Sequence, residues 1–393
     1  MSAGARTEVR RPGLVVVIGF VAILAGRFTL DRAGVTVPVF NDVRVPLFAA
    51  LLMGFALEIR WAPPHRHTGA RSVLAVYTFL GYQAVSAAWT PPGADLAAAV
   101  GDLVAVAVLV LVYAQLAEWD RDRVVAVTAA CFQAAAWAYF LVAAAGRGHT
   151  TAGRWAAPGG GPNVFVRVMV IGLFTSIYFY LRSGRKLAWL VGVPAFLTGA
   201  IASGSRGGLV ALLLTVLLAA PSLLPGLRSG GGAKPLLLVA VLLGIGVAAM
   251  GDSILAFVEQ RFVATTFQQG YVSGRDVLFR MALNLWLEHP FLGTGISSFA
   301  EITKLGVGFA YPHNLFLAVA AEGGVVGLAL LANSFYQVRH EYARVPRGER
   351  SLEARIAAYA GIFVGAACMF SGDYYDARLM WIWLILAAVH PSR

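Results

Sequence analysis

The feature that most constrains this chain is a series of apolar runs, each about 20 residues long, that recurs along almost all of its 393 residues. An α-helix needs about 20 apolar residues to cross the hydrocarbon core of a bilayer. The composition agrees, because 59% of the residues are hydrophobic and only 13% are charged, about half the charged fraction of soluble domains. We therefore predict an all-α, polytopic bundle of membrane helices that forms one integral membrane domain over residues 1–393.

The apolar runs predict twelve transmembrane helices. Their approximate bounds are 13–30, 45–60, 72–89, 95–118, 124–145, 164–181, 187–203, 205–224, 235–257, 313–336, 354–371 and 376–390. The longest segment between two spans, residues 258–312, is predicted to be an extracytoplasmic loop. It is expected to carry an amphipathic helix over residues 274–289, begun by a capping pair of Ser273 and Asp276.

The predicted loop helix has two distinct faces. Its apolar face consists, at helical spacing, of Leu278, Met281, Ala282, Leu285 and Trp286. Its polar face repeats every four residues and consists of Asp276, Arg280, Asn284 and Glu288. Such a helix can lie on the membrane and hold Arg275 and Arg280 over a cavity in the bundle. The alternative is a lid whose charges face water.

The distribution of basic residues predicts the orientation of the bundle. Of the 31 lysines and arginines, 19 fall in alternate segments that begin with the N-terminus. The positive-inside rule assigns these segments, and hence both termini, to the cytoplasmic side of the cytoplasmic membrane. This distribution explains the net charge of +11 without a nucleic-acid partner.

The other basic residues fall on the outer side. Among them, Arg27, Arg32 and Arg44 lie in the first outer loop, where solvation by water accounts for them. Arg167 and Arg206 lie at or just inside the membrane boundary, where a charged side chain usually faces the bundle interior or a partner. Since guanidinium groups match phosphate oxygens, these arginines predict an outward-facing anion site. The alternative is that outer carboxylates neutralise them in structural ion pairs.

Polar residues mark the entrances of three predicted spans. The run of glycine and proline at 159–162 is expected to lie outside a helix, so that Asn163 caps the sixth span and shares a face with Arg167. A short turn over residues 203–206 places Arg206 at the start of the eighth span. His313 precedes the tenth span, where it either serves a catalytic cavity or simply caps the helix.

Four segments together resemble the O-antigen ligase and polymerase family, the bacterial polysaccharide enzymes of the WaaL and Wzy type. They read, in chain order, GGPNVFVR, GSRGGLVALL, GRDVLFRMALNLWLEHPFLGTGISSF and YPHNLFLAVAAEGGVVGLAL. Their order, the large outer loop and the twelve-span layout are all similar to that family. The resemblance implies a membrane glycosyltransferase that moves glycan from a polyprenyl-diphosphate-linked donor to a glycan, lipid or protein acceptor.

The resemblance also implies which residues act. It makes His313, Arg206 and Arg275 the catalytic set, with Arg280 as the alternative to Arg275. A histidine, whose ordinary pKa is about 6.5, can take the proton of the attacking acceptor hydroxyl, while arginines stabilise the departing diphosphate. Further residues expected to bind substrate or orient the imidazole are Arg280, Arg167, Asn163, Asn314, Asp373 and Arg378. With arginines in place of a divalent cation, no metal or other cofactor is expected, and attack opposite the leaving group would invert the anomeric centre.

Two other patterns receive structural interpretations. Asp120, Arg121 and Asp122 spell the DxD pattern of sugar-nucleotide transferases, but we interpret them as a solvated charge cluster in a cytoplasmic turn. Cys131 and Cys368 fall inside predicted spans, which favours small packing residues without a disulfide framework.

The main alternative function is a lipid-linked oligosaccharide flippase or another polytopic transporter. Transporters often contain two related halves, and this sequence has no evident internal repeat. A peptidoglycan-type polymerase, which would depend on an outer-loop carboxylate, is another enzyme class. Polymerase and ligase differ only in the acceptor, and the GGPNVFVR segment favours the polymerase.

Overall fold

The structure is a computed structural model that describes residues 13–35, 37, 41–59, 69–151, 153–157, 160–228, 275–304 and 311–390. The predicted ninth span, Ser273 of the predicted capping pair, and the outer loop as far as residue 274 lie outside these residues. The described part is all-α, with isolated β-bridges and no named strand. Its α-helices are α1 Gly13–Ala25, α2 Arg44–Ile59, α3 Ala70–Val85, α4 Leu96–Ala144, α5 Gly161–Arg182, α6 Gly192–Ala202, α7 Arg206–Arg228, α8 Arg275–Glu288, α9 Ser298–Thr303, α10 Leu315–Ala343, α11 Leu352–Cys368 and α12 Arg378–Ala388.

Membrane-spanning capacity is clear for three of these helices. Within the described residues, α4, α5 and α10 are long and apolar enough to cross a bilayer, and several further apolar helices are shorter. The described helices therefore support a multi-pass membrane protein, although they do not establish the predicted number of twelve spans. Helix α4 has 49 residues, and at about 1.5 Å per residue it is long enough for two crossings of about 30 Å.

Helix α4 is divided where the sequence carries its DxD pattern. The backbone of Asp120 is non-helical, and its side chain accepts a hydrogen bond from the Arg123 N–H at 3.0 Å, as an N-cap does. Arg121 is only 7% exposed and donates to Ser351 Oγ at 2.9 Å and to the Val389 carbonyl at 3.3 Å. The prediction of a solvated charge cluster is therefore wrong for Arg121, which binds the segments before α11 and after α12. It holds for Asp120, which is exposed, and in part for Asp122, whose side chain is 48% exposed.

The last helix forms the centre of the bundle. Every residue of α12 is buried, including Trp381 and Trp383. It packs against α4 and α11, while α10 packs against α3 and α8. A helix that is apolar on all sides is typically buried inside a bundle. Because α12 is central, the loop that precedes it lies among the ends of the surrounding helices.

Helix α5 begins earlier than the sequence predicts. Its first residue is Gly161, and Gly160 is the N-cap. Proline fits the first turn, because the N–H that it lacks would have no partner inside the helix. The expectation that Gly161 and Pro162 lie outside a helix and that Asn163 caps it is therefore wrong; residue 159 lies outside the described residues. Asn163 lies in the first turn, and its side chain reaches other elements.

Helix α10 is interrupted by a backbone break that a second segment fills. Gly324 has φ 62° and ψ −161°, a conformation that is essentially restricted to glycine. The segment Pro290–Gly295, which we call the strap, runs alongside this break. Two of its carbonyls, those of Pro290 and Phe291, accept from Val325 and Val326 at 2.8 and 3.2 Å. The strap therefore satisfies backbone groups that the interrupted helix leaves without a partner.

Helix α8 packs beside the strap. Leu278, Ala282 and Leu285 are buried against Phe299 of α9 and Ala321 of α10. Met281 packs against the same cluster. Four of the five residues on the apolar face derived from the sequence thus contact protein, and α8 is joined to the bundle through this face.

Candidate functional site

An ion-pair network joins the segment between α1 and α2 to the loop before α12. Arg27 bonds to Asp102 of α4 and, at 2.7 Å, to Asp373. Arg44 bonds to the other oxygen of Asp102 and to Asp42 at 2.6 Å. Solvation was predicted to account for Arg27 and Arg44; this is wrong, because buried carboxylates hold both side chains.

The same network continues into α5 and α12. Arg167 is 3% exposed; it donates to the carbonyl of Ser371 and lies 3.4 Å from Asp376. Arg378 is also buried, donates to the carbonyls of Ile23 and Tyr375 at 2.8 Å, and lies 3.7 Å from Asp376. The contacts of Arg167 and Arg378 therefore match the alternative prediction, in which carboxylates neutralise the arginines in structural ion pairs. Within the described residues, the network balances four arginines against four aspartates.

Neighbouring charges shift the pKa values of the loop groups. Burial alone lowers the pKa of Arg27, but the carboxylates of Asp373 and Asp102 outweigh burial and raise it. Burial and the adjacent carboxylate of Asp376 raise the pKa of Asp373. Asp376 is also buried, yet Arg167 and Arg378 lower its pKa. The pKa values of the two loop carboxylates are therefore shifted in opposite directions.

Asn163 connects the network to the turn that carries Arg206. Its amide donates to Ser371 Oγ at 2.8 Å, and its oxygen accepts from Ser205 Oγ at 2.9 Å. Arg206 is the next residue and the first of α7, as the sequence predicts. Arg154 donates to the carbonyl of Ser203 at 2.8 Å from the other side of this turn. The turn is thus held between the segment that carries Arg154 and the start of α5.

His313 lies beside the network. Its ring centroid is 4.2 Å from that of Tyr311, and its backbone has φ 56°, which is uncommon for a residue with a side chain. Asn314 is the N-cap of α10, because its oxygen accepts from the Phe316 and Leu317 N–H groups at 2.9 and 3.1 Å. The alternative in which His313 caps this helix is therefore wrong.

Two cavities meet at Arg27 and Tyr311. The smaller one has a volume of about 250 Å³ and is lined by polar residues that include Asn163, Ser371, Asp376 and Arg378. The larger one has a volume of about 470 Å³. Both Arg27 and Tyr311 line each cavity. Because the ring of His313 contacts that of Tyr311, His313 lies close to both cavities.

The two arginines of α8 are placed differently. Arg275 is the first residue of the helix. Arg280 forms an ion pair with Asp276 at 3.0 Å, and 72% of its side chain is exposed. The contact of Arg280 is that of a solvated ion pair on the helix surface. For this residue the structure matches the alternative prediction, in which the charges of the loop helix face water.

Comparison with known proteins bears on the same region. A family model described as O-antigen ligase matches residues 190–332. A protein of Pseudomonas aeruginosa named O-antigen ligase is 31% identical over 176 residues, which cover 43% of this chain and 39% of the relative. The chain thus matches less than half the length of that protein. Both findings support the O-antigen ligase and polymerase family.

Some of the predicted site residues lie inside the segment that the O-antigen ligase family model matches, and others lie outside it. The matched segment includes Arg206, Arg275, Arg280, His313 and Asn314. The remaining predicted residues, which lie outside the matched segment, are Asn163, Arg167, Asp373 and Arg378. The structure joins these four to one another through Ser371 and the ion-pair network, and it joins them to the family segment through Ser205.

Sequence reasoning missed several residues of this region, above all Asp102 and Tyr311. A signal existed for Asp102, because an acid inside an apolar run is by default a functional candidate in a membrane protein. No local pattern distinguishes Tyr311 from other tyrosines at the membrane boundary, since its importance comes from the cavities that it lines.

Proposed function

We propose that this protein is a membrane glycosyltransferase that transfers glycan from a polyprenyl-diphosphate-linked donor to an acceptor hydroxyl. The acceptor is another glycan, a lipid or a protein, and the reaction takes place on the outer face of the cytoplasmic membrane. The observation that carries the proposal is the position of His313, within the family segment and against the tyrosine that lines both cavities.

In the proposed reaction His313 acts as the general base. It removes the proton of the acceptor hydroxyl while that oxygen forms a bond to the anomeric carbon of the donor. The bond between the anomeric carbon and the diphosphate breaks, and the polyprenyl diphosphate leaves with the electron pair. Attack from the side opposite the leaving group inverts the anomeric centre.

Arginines are proposed to stabilise the leaving diphosphate in place of a divalent cation. Arg206 and Arg275 are the candidates, because each is the first residue of its helix, where the positive end of the helix dipole adds to the attraction of an anion. Arg167 and Arg378 are weaker candidates for direct contact, since each is already bonded to Asp376 and to backbone carbonyls. Their proposed contribution is to hold the loop of Asp373 and Asp376.

Purified protein in lipid nanodiscs, given a labelled lipid-linked donor and an acceptor, tests this proposal. We expect His313→Ala to lower kcat by about 100-fold or more, as loss of a general base does. His289→Ala is the matched control, because His289 is an exposed outer histidine at the end of α8, and its kcat should stay within about twofold of wild type. Near-normal transfer by a folded His313→Ala protein would rule out the base assignment.

The same preparation separates an enzyme from a flippase. A transferase joins labelled glycan to the acceptor without a membrane gradient, whereas a flippase changes only the leaflet of the lipid-linked sugar. Leaflet exchange without covalent transfer would therefore favour the transporter alternative.

A further inference from the structure

The larger cavity has an acidic lining. Its volume of about 470 Å³ falls within the range of about 300–1,000 Å³ that small-molecule sites occupy. It lies between the start of α4, α9, α10 and the loop before α12. Its described lining includes one arginine, Arg27, and the acidic residues Asp95, Asp102, Glu301, Glu322 and Asp373.

Most of these carboxylates already have partners. Asp102 and Asp373 bond to Arg27, Glu301 lies 3.7 Å from Lys304, and Asp95 caps α4 by accepting from the Ala98 N–H at 3.0 Å. Glu322 differs, because it has no lysine or arginine partner among the described residues although it is only 5% exposed.

Glu322 keeps capacity for a further hydrogen bond. One of its oxygens accepts from the Phe299 N–H at 3.3 Å, and the Ser297 N–H and the Tyr374 hydroxyl also donate to the carboxylate. An ionised carboxylate offers about four acceptor positions, so about one of them is left for a further donor. A buried charge without a counter-charge is costly unless donors surround it. Protein donors meet most of this requirement, and a hydroxyl group in the cavity that Glu322 lines is well placed to add a further one.

The strap fixes the position of Glu322. The Gly295 N–H donates to the Glu322 carbonyl at 2.9 Å, and the Thr294 N–H donates to the preceding carbonyl, that of Ala321, at 2.9 Å. A Cβ on Gly293 would lie 2.4 Å from the Glu322 carbonyl carbon, so only glycine permits this approach. The break in α10 thus holds one carboxylate rigidly at the wall of the cavity.

We propose that the larger cavity binds a neutral, polyhydroxylated sugar ring of the acceptor, with Glu322 accepting a hydrogen bond from one of its hydroxyl groups. This assignment to the acceptor rests on the proposed function. The carboxylate-rich lining repels a diphosphate, and no three His, Cys, Asp or Glu side chains of the described residues converge as a metal site requires. Because Arg27 and Tyr311 line both cavities, a sugar here would lie next to the smaller cavity and to Tyr311, the ring of which contacts that of His313.

Thiol protection tests the proposal without requiring transfer activity. Cys131 and Cys368 are replaced by alanine, and Ala300→Cys introduces one thiol into the cavity wall. The matched control is Gly348→Cys, in an exposed loop with open space around it. The full-length proteins in nanodiscs are alkylated with a small maleimide in the presence of glucose, N-acetylglucosamine, glucose 1-phosphate or sodium chloride.

We expect at least one neutral sugar to slow alkylation of Ala300→Cys several-fold without slowing that of Gly348→Cys. Glucose 1-phosphate and salt should have little effect, and Glu322→Gln in the Ala300→Cys background should abolish the protection. Equal protection by the sugar phosphate or by salt, unchanged protection in Glu322→Gln, or no protection by either neutral sugar would overturn the proposal. A thiol at position 300 that does not react at all would also overturn it, because solutes could not then enter the cavity. Protection in a protein without transferase activity would support the sugar site and contradict only the proposed reaction.

Discussion

At the scale of single residues, the same residue type has very different roles in this protein. Arg27 joins two buried carboxylates at the meeting point of two cavities, whereas Arg280 forms a pair between neighbouring turns on the helix surface. The sequence context does not distinguish them, since both are arginines of predicted outer segments with acidic residues nearby. What distinguishes them is the burial of the partner, which determines how much an ion pair contributes.

Replacing Arg27 therefore has a larger predicted effect than replacing Arg280. We expect Arg27→Ala to destabilise the protein by about 1–3 kcal/mol, below the about 3–5 kcal/mol of a fully buried pair, because 44% of the Arg27 side chain is exposed. Arg280→Ala should change stability by less than about 0.5 kcal/mol. Thermal unfolding of both purified variants measures the difference. Equal shifts in Tm would contradict the claim that the ion-pair network stabilises the protein more than the surface pair of Arg280 does.

Asn314 allows a separate test of its capping role. Loss of a helix N-cap costs about 1 kcal/mol, and aspartate replaces asparagine well at this position. We expect Asn314→Ala to lower Tm and Asn314→Asp to restore it, since Asp keeps the acceptor for the Phe316 and Leu317 N–H groups. If the aspartate variant unfolds as early as the alanine variant, the amide itself has a role beyond the cap.

At the scale of elements, the break in α10 and the strap form one structural unit. The interruption would leave backbone groups without partners, and the strap supplies them through Pro290 and Phe291. The glycines in both segments are required by close approach, because a Cβ at Gly324 would lie 2.3 Å from the Phe291 oxygen. The sequence shows the glycines, while the pairing between the two segments depends on the folded chain.

This unit predicts a strong effect of a single methyl group. We expect Gly324→Ala to destabilise the protein by at least about 1–3 kcal/mol, the cost of a strained backbone conformation, with the steric overlap in addition. Gly348→Ala is the control, because its Cβ would meet no atom within 4 Å, and it should leave stability unchanged within about 1 kcal/mol. Unfolding midpoints measured side by side decide the matter, and a Gly324→Ala variant as stable as the control would refute the strain argument.

At the scale of the whole molecule, the orientation in the membrane remains a prediction from the basic residues. The hypothesis requires the loop at 146–157 to face outward and the loop at 345–350 to face the cytoplasm. It also places the ion-pair network, the two cavities and His313 on the outer side.

Single thiols in a background without Cys131 and Cys368 test this orientation. Thr151 and Gly348 are both exposed in the structure. In intact cells whose inner membrane is accessible, a membrane-impermeant maleimide should label Thr151→Cys and leave Gly348→Cys unlabelled until the membrane is opened. The reverse labelling pattern would invert the orientation and place His313 on the cytoplasmic side.

The sequence by itself determined the all-α class, the approximate helix bounds and the polar residues at the helix entrances. These features depend on local properties, namely the length of apolar runs and the residues that begin a helix. It failed at the start of α5 because a glycine-proline run can also form the first helical turn. The tertiary structure alone decided which charges pair, since Arg27 and Asp373 are 346 residues apart. Contacts over such distances depend on how the helices pack against one another, and no periodicity along the chain records that packing.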